Sequence, residues 1–172
     1  MTSKQQLIRI LQAAYSGERA AAYAYRGHWK SVRDASERES IKRIEEEEWA
    51  HRTAVGVMLR DLDTKPLAMR EIKMLAIGRI IGVLCFLTGW FLPMYFAGRL
   101  ESGNVVEYES AAALAAGLGF HQYQAELLGM AAREKEHETY FFSVIANHRL
   151  LPFMRAIFKW GGAASVKAHR GL

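Results

Sequence analysis

Cysteine occurs once in the 172 residues, as Cys85 within an apolar run. A single thiol excludes a disulfide framework, a zinc knuckle and a four-thiolate iron site of the rubredoxin kind, and it suits a reducing compartment. Proline occurs three times, at 66, 93 and 152, and the turn pairs Asn-Gly and Asp-Gly do not occur. Strands therefore have little support. The opening residues, MTSKQQLIRILQ, lack an apolar segment of secretory type, which predicts a chain without a signal peptide, in the cytoplasm or peripheral on the inner membrane face.

Hydrophobic residues make up 51% of the chain, enough for a core in a single domain over 1–172. The net charge is +5 and the pI about 9.4. That balance fits acidic surroundings such as phosphate or an anionic membrane surface. No nucleic-acid partner is expected, and a homo-oligomer is left open.

Residues 4–30 carry Leu7, Leu11, Ala14, Glu18, Ala21 and Tyr25 along one face at the 3.6 period, which predicts a helix. The polar run SVRDASERES supplies a turn, with Asp34 and Ser36 as N-cap candidates. A second helix is predicted over 36–62, completing a first pair in 1–62. An apolar crossover follows over 63–97. A second pair in 98–148 comprises a helix carrying Glu101 and ending near Gly117 or Gly119, then one over 120–148. Pro152 opens a basic, aromatic tail over 149–172. The fold class is all-α: a four-helix bundle with a long apolar crossover between its second and third helices and an extra C-terminal segment.

Chemistry enters with IEEEEWAH, residues 44–51. On a helix Glu48 and Glu47 approach His51, whereas Glu45 and Glu46 look elsewhere. A second Glu-x-x-His pair, Glu134 and His137, stands in AAREKEHETYF. More of the pattern repeats. Glu18 and Tyr25 are seven apart, as are Glu101 and Tyr108, and no other tyrosine has a glutamate at that offset. The chain thus holds two unequal copies of one pattern: a glutamate, a tyrosine at +7, and a Glu-x-x-His pair some thirty residues on.

Both copies place their acids at matching heights. Glu18 lies sixteen residues before the turn near Asp34 and Glu48 fourteen after it; at ~1.5 Å per residue both stand ~21–24 Å below it. Glu101 and Glu134 straddle the turn near Leu118 in the same way. Four carboxylates converging inside a bundle repel one another and lose solvation. Two divalent cations balance them charge for charge, and His51 and His137 complete the coordination. Carboxylate oxygen with imidazole nitrogen suits iron first, with manganese or zinc as substitutes.

This arrangement resembles the ferritin-like di-iron carboxylate proteins, whose ligands are one Glu from each of two helices and a Glu-x-x-His from each of the other two. The resemblance implies two iron ions held by Glu18, Glu48, His51, Glu101, Glu134 and His137, with Glu48 and Glu134 bridging and the other four terminal. Within that class the chain is most similar to the demethoxyubiquinone hydroxylases, on GERAAAYAY, EEEEWAH, REKEH and the apolar segment 80–97. The resemblance implies a membrane-associated monooxygenase that uses dioxygen to hydroxylate a quinone ring, with no protein nucleophile. Two features depart from the pattern: Ser102 and Gly103 follow Glu101 where another acid is expected, and the basic tail is additional. Two other functions compete: a ferroxidase or peroxide-scavenging protein of rubrerythrin type, and a membrane-interaction protein whose metal holds a bundle together.

Other residues have plainer readings. Glu47 and Glu136 are expected to be solvated, although either could support a histidine. Glu107 and Glu109 compete with Glu101 but lack the tyrosine at +7. Tyr25 and Tyr108 are expected as core residues with bonded hydroxyls. Ala21, Ala22 and Gly103 are small enough to leave room for oxygen or substrate. His28, His121, His148 and His169 have no acid three positions earlier and are expected on the polar surface. The run 80–97 is eighteen residues without a charge, at the lower edge of a membrane span. It is read as a partly buried crossover that dips into a bilayer. Together with Phe153, Phe158, Trp160, Arg155, Lys159, Lys167 and Arg170 of the tail, it predicts peripheral membrane contact through 80–97 and 153–170.

Overall fold

The computed structural model describes residues 1–161. The tail residues Lys167, His169 and Arg170 lie outside them. Among the described residues there are six helices and no strand: α1 (Ser3–Ser31), α2 (Ala35–Asp61), α3 (Ala68–Leu87), α4 (Phe91–Gly117), α5 (His121–Ile145) and α6 (Leu151–Phe158).

Local chemistry sets the helix ends. Thr2 and Gln5 form a reciprocal capping box at the start of α1, and the Asp34 side chain accepts from the Glu37 amide at 2.9 Å to begin α2. Gly119, at φ +79°, turns the chain from α4 into α5. These short turns make α1/α2 and α4/α5 two antiparallel hairpins, and they face each other as the four-helix bundle expected from the sequence.

The crossover is more ordered than an apolar connector. Residues 68–87 are a full helix, and 91–97 form the first two turns of α4, with Pro93 tolerated in the first turn. The uncharged run 80–97 is therefore broken at Thr88–Trp90, where Gly89 has φ +76°. No described helix is long and apolar enough to cross a membrane. α3 lies along the outside of α1, so close that a Cβ built on Gly27 would stand 2.3 Å from the Gly82 backbone, and one on Gly78 2.4 Å from the Ala20 carbonyl. Its first turn is anchored by Glu71, which accepts from Arg19 (3.2 Å) and Arg52 (2.5 Å).

Two apolar clusters fill the bundle. One, with Leu7, Leu11, Val55, Met58 and Leu127, fills the end next to the α4–α5 turn. The other, with Ile41, Ile44, Met94, Tyr95, Phe141 and Trp160, fills the end next to the α1–α2 turn. Trp160 differs from its expected role as an interfacial anchor. It is buried, donates from Nε1 to Glu138 Oε1 at 2.8 Å, and packs on Gly98, where any Cβ would meet its ring. Phe153 and Ile157 of α6 remain exposed.

Candidate metal centre

Between the two apolar clusters the bundle carries a belt of buried polar side chains. Glu18 comes from α1, Glu48 and His51 from α2, Glu101 from α4, and Glu134 and His137 from α5, all of them buried. Their ligand atoms form two overlapping groups, each within 4.8 Å: Glu18, Glu48, His51 and Glu134 in one, Glu48, Glu101, Glu134 and His137 in the other. Glu48 and Glu134 belong to both groups. The i,i+3 spacing sets each of them beside the histidine of its own helix, and each also reaches the group around the histidine of the facing helix.

The donor set is poor in hydrogens and rich in lone pairs. Both Glu48 oxygens, Glu18 Oε2, Glu134 Oε1, His51 Nδ1 and His137 Nδ1 are buried without a hydrogen-bond partner. His51 Nδ1 lies 2.9 Å from Glu134 Oε1 without forming a hydrogen bond, and His137 Nδ1 lies 3.7 Å from Glu48 and 3.6 Å from Glu134. Burial, reinforced by the neighbouring glutamates, pushes the carboxyl groups of Glu48 and Glu101 well above the ordinary range. Burial chiefly raises Glu134 to about 8, and burial lowers His51 despite the acids around it. Without a cation these carboxyls hold protons; a pair of divalent cations would replace those protons and use the unpartnered lone pairs. The residues present fit such a pair.

A supporting ring surrounds the six. Tyr25 donates to Glu101 and Tyr108 donates to Glu18, so each tyrosine serves the glutamate of the other copy. Both hydroxyls are held protonated, by burial first and then by the neighbouring glutamates. Asn104 donates to Glu101 at 2.9 Å and Glu134 at 3.5 Å. It was not singled out from the sequence, although its i+3 offset from Glu101 was the available signal. Glu47 does not serve His51 on its own helix. It crosses the bundle to His137 Nε2 at 2.5 Å, while Glu136 is exposed and pairs with Arg133. Glu45 ties α2 to α1 by accepting from Arg26 and Trp29.

Beside the belt, α1, α3 and α4 enclose an apolar cavity of about 640 Å³. It reaches Glu18, Tyr25, Asn104 and Tyr108 at the belt and extends past Ala20, Ala21 and Ala24 between Leu84 and Leu92. Of the expected small residues, Ala21 lines it. Ala22 is buried outside its lining, and Gly103 faces solvent. Glu107 stands at the cavity wall instead of in the belt, its carboxyl raised by burial and then by Glu18. His28 corrects the sequence reading most sharply. Far from being a surface residue, it is 2% exposed and lines the cavity, and burial lowers its imidazole to about 4. His121 is exposed, and His148 is half-buried against Phe91.

A family model described as ubiquinone biosynthesis protein COQ7 matches residues 5–111. The match takes in Glu18, Glu48, His51 and Glu101 and ends before Glu134 and His137. Neither a curated protein nor a solved structure matches the chain. With the matched segment spanning well over half of the 172 residues, the chain belongs to the ubiquinone biosynthesis protein COQ7 family, the demethoxyubiquinone hydroxylases of the ferritin-like di-iron class.

Proposed function

We propose that Glu18, Glu48, His51, Glu101, Glu134 and His137 would hold two iron ions, Glu48 and Glu134 belonging to both ligand groups, and that the protein hydroxylates a quinone-like substrate. The observation that carries this reading is the meeting of two features. A belt of buried, unpartnered carboxylate and imidazole atoms opens onto an apolar cavity of about 640 Å³, a volume that takes an organic ring and part of an apolar tail. Iron, when bound, supplies dioxygen activation. Manganese and zinc also suit the donor set.

The chain's own residues bind, orient and exclude water. Tyr108 and Tyr25 fix the Glu18 and Glu101 carboxylates by donating to them, and Asn104 steadies Glu101 against Glu134. Glu47 orients His137 from the far side and favours the tautomer with a proton on Nε2, leaving Nδ1 as a free lone pair. Ile77, Ile81 and Leu92 give the cavity an apolar wall. The exposed apolar residues Ile80, Val83, Phe86 and Leu87 of α3, beside the cavity, are the surface through which a membrane-borne substrate would be drawn.

The test is turnover. Iron-loaded protein given a chemical reductant, ¹⁸O-labelled dioxygen and a short-prenyl quinone with an open ring position is expected to yield a hydroxylated ring carrying one labelled oxygen. Oxidation of many ferrous equivalents per chain with no ring product would instead support the ferroxidase.

A further inference from the structure

His28 is used by nothing described so far. It stands on α1 one turn beyond Tyr25, in the cavity wall. Its ring is stacked against Tyr25 at 6.3 Å and against Phe141 at 6.0 Å, with interplanar angles of 19° and 13°. The two rings hold the imidazole in place. Yet Nε2 is buried with no hydrogen-bond partner.

Burial without an acidic neighbour keeps the imidazole neutral, its value lowered to about 4. A neutral imidazole carries one donor and one acceptor nitrogen, and leaving a buried one unmatched is costly. The same space would accept leucine or phenylalanine, since Leu84, Leu92 and Phe96 line the cavity with it. Water is a poor substitute partner, because an ordered water needs several polar contacts and this wall offers few.

The wall therefore has polar atoms at two heights. Low on it, the Tyr25 hydroxyl donates to Glu101 and Asn104 lies alongside. One helical turn higher, about 5.4 Å, His28 begins an apolar stretch. A planar ring lying in the cavity with one edge toward the belt would present its opposite edge to the part of the wall that holds His28.

We infer that His28 Nε2 is a binding subsite for a ring oxygen of the quinone substrate, and that this contact sets which ring carbon faces the glutamate–histidine belt. The inference rests on the quinone reading above. A quinone carbonyl only accepts, so the contact uses the tautomer with the proton on Nε2, whereas a hydroquinone hydroxyl suits either tautomer.

The experiment compares two probes on iron-loaded full-length protein kept anaerobic, so that binding is read without turnover. One probe is a short-prenyl benzoquinone with an open ring position, and the other is the same prenyl chain on benzene, which has no ring oxygen. For His28→Leu we expect the dissociation constant of the quinone to rise about 5- to 20-fold, in line with a lost hydrogen bond, while that of the prenylbenzene stays within about twofold. His28→Gln, which restores a donor and an acceptor, should recover part of the quinone affinity. Prenylbenzene binding also reports that the variants have folded.

An equal loss for both probes would show a packing role and overturn the subsite. So would unchanged quinone binding in His28→Leu while the wild type binds and hydroxylates the quinone. Wild-type protein that binds neither probe would overturn the quinone reading and the subsite with it.

Discussion

Three of the belt carboxyls make stability depend on pH in a direction opposite to the usual one for acids. Glu48, Glu101 and Glu134 have folded-state values above their ordinary range, with Glu134 at about 8, against an unfolded value of about 4.3. In metal-free protein the folded state therefore binds more protons, and the stability that these groups contribute is full below about pH 4.3. It is lost as the pH rises toward 8 and beyond. Denaturant titrations of metal-free protein between pH 5 and 8 should show falling stability, and added ferrous or zinc ion should reverse the trend at pH 7 to 8. Stability that rises with pH in the metal-free protein would contradict this. At the same scale, all six belt residues were legible because i,i+3 and +7 spacings are properties of one helix. Contacts between helices were not. Glu47 was expected to be solvated, with His51 the histidine in reach on its own helix, whereas its partner His137 stands on another helix 90 positions later. His28 was read as surface because the absence of an acid at i−3 says nothing about whether a cavity lies beside it.

α4 begins at Phe91, seven residues before the expected 98; α1, α2 and α5 were legible to within a few residues from their amphipathic spacing, the start of α2 also from its N-cap candidate Asp34. α3 was not. Its apolar residues continue across the Thr88–Trp90 break into α4, so one uninterrupted run concealed two helices. Its contact with α1 depends on small residues whose partners are distant in sequence. Gly27→Ala adds a methyl that would lie 2.3 Å from the Gly82 backbone. Alanine gains about 1 kcal/mol in helix propensity, but a clash with backbone costs about 1–3 kcal/mol or more because no rotamer relieves it. A net loss of about 1–2 kcal/mol is expected by denaturant unfolding. Gly103→Ala, with nothing within 4 Å, should instead stabilise by about 0.5–1 kcal/mol. Equal stabilisation by both substitutions would mean that α3 does not sit tightly on α1.

Over the whole molecule, apolar exposure concentrates on the outer helix and the C-terminal helix, in Ile80, Val83, Phe86 and Leu87 of α3 and Phe153 and Ile157 of α6. The chain as a whole is basic. Those two properties suit attachment to an anionic bilayer without crossing it. Full-length protein should co-sediment with vesicles containing anionic lipid at low salt and be partly released at high salt, and Phe86→Ser with Leu87→Ser should weaken binding about tenfold or more. Protein that stays in the supernatant at low salt would remove membrane contact from the account. The proposed substrate, a ring with an apolar tail, would fit this layout, since the cavity runs from the polar belt toward α3.

The claim on which the rest depends is that the belt holds metal. Metal analysis of protein produced in iron-rich medium, alongside Glu48→Ala and Glu134→Ala, tests it most directly. Each of these residues belongs to both ligand groups, so each substitution should disturb both ions. The account predicts about two metal ions per wild-type chain and loss of most of them in either variant, with the helical fold retained. Metal content equal in the wild type and both variants, or a wild-type chain that takes up none, would contradict it.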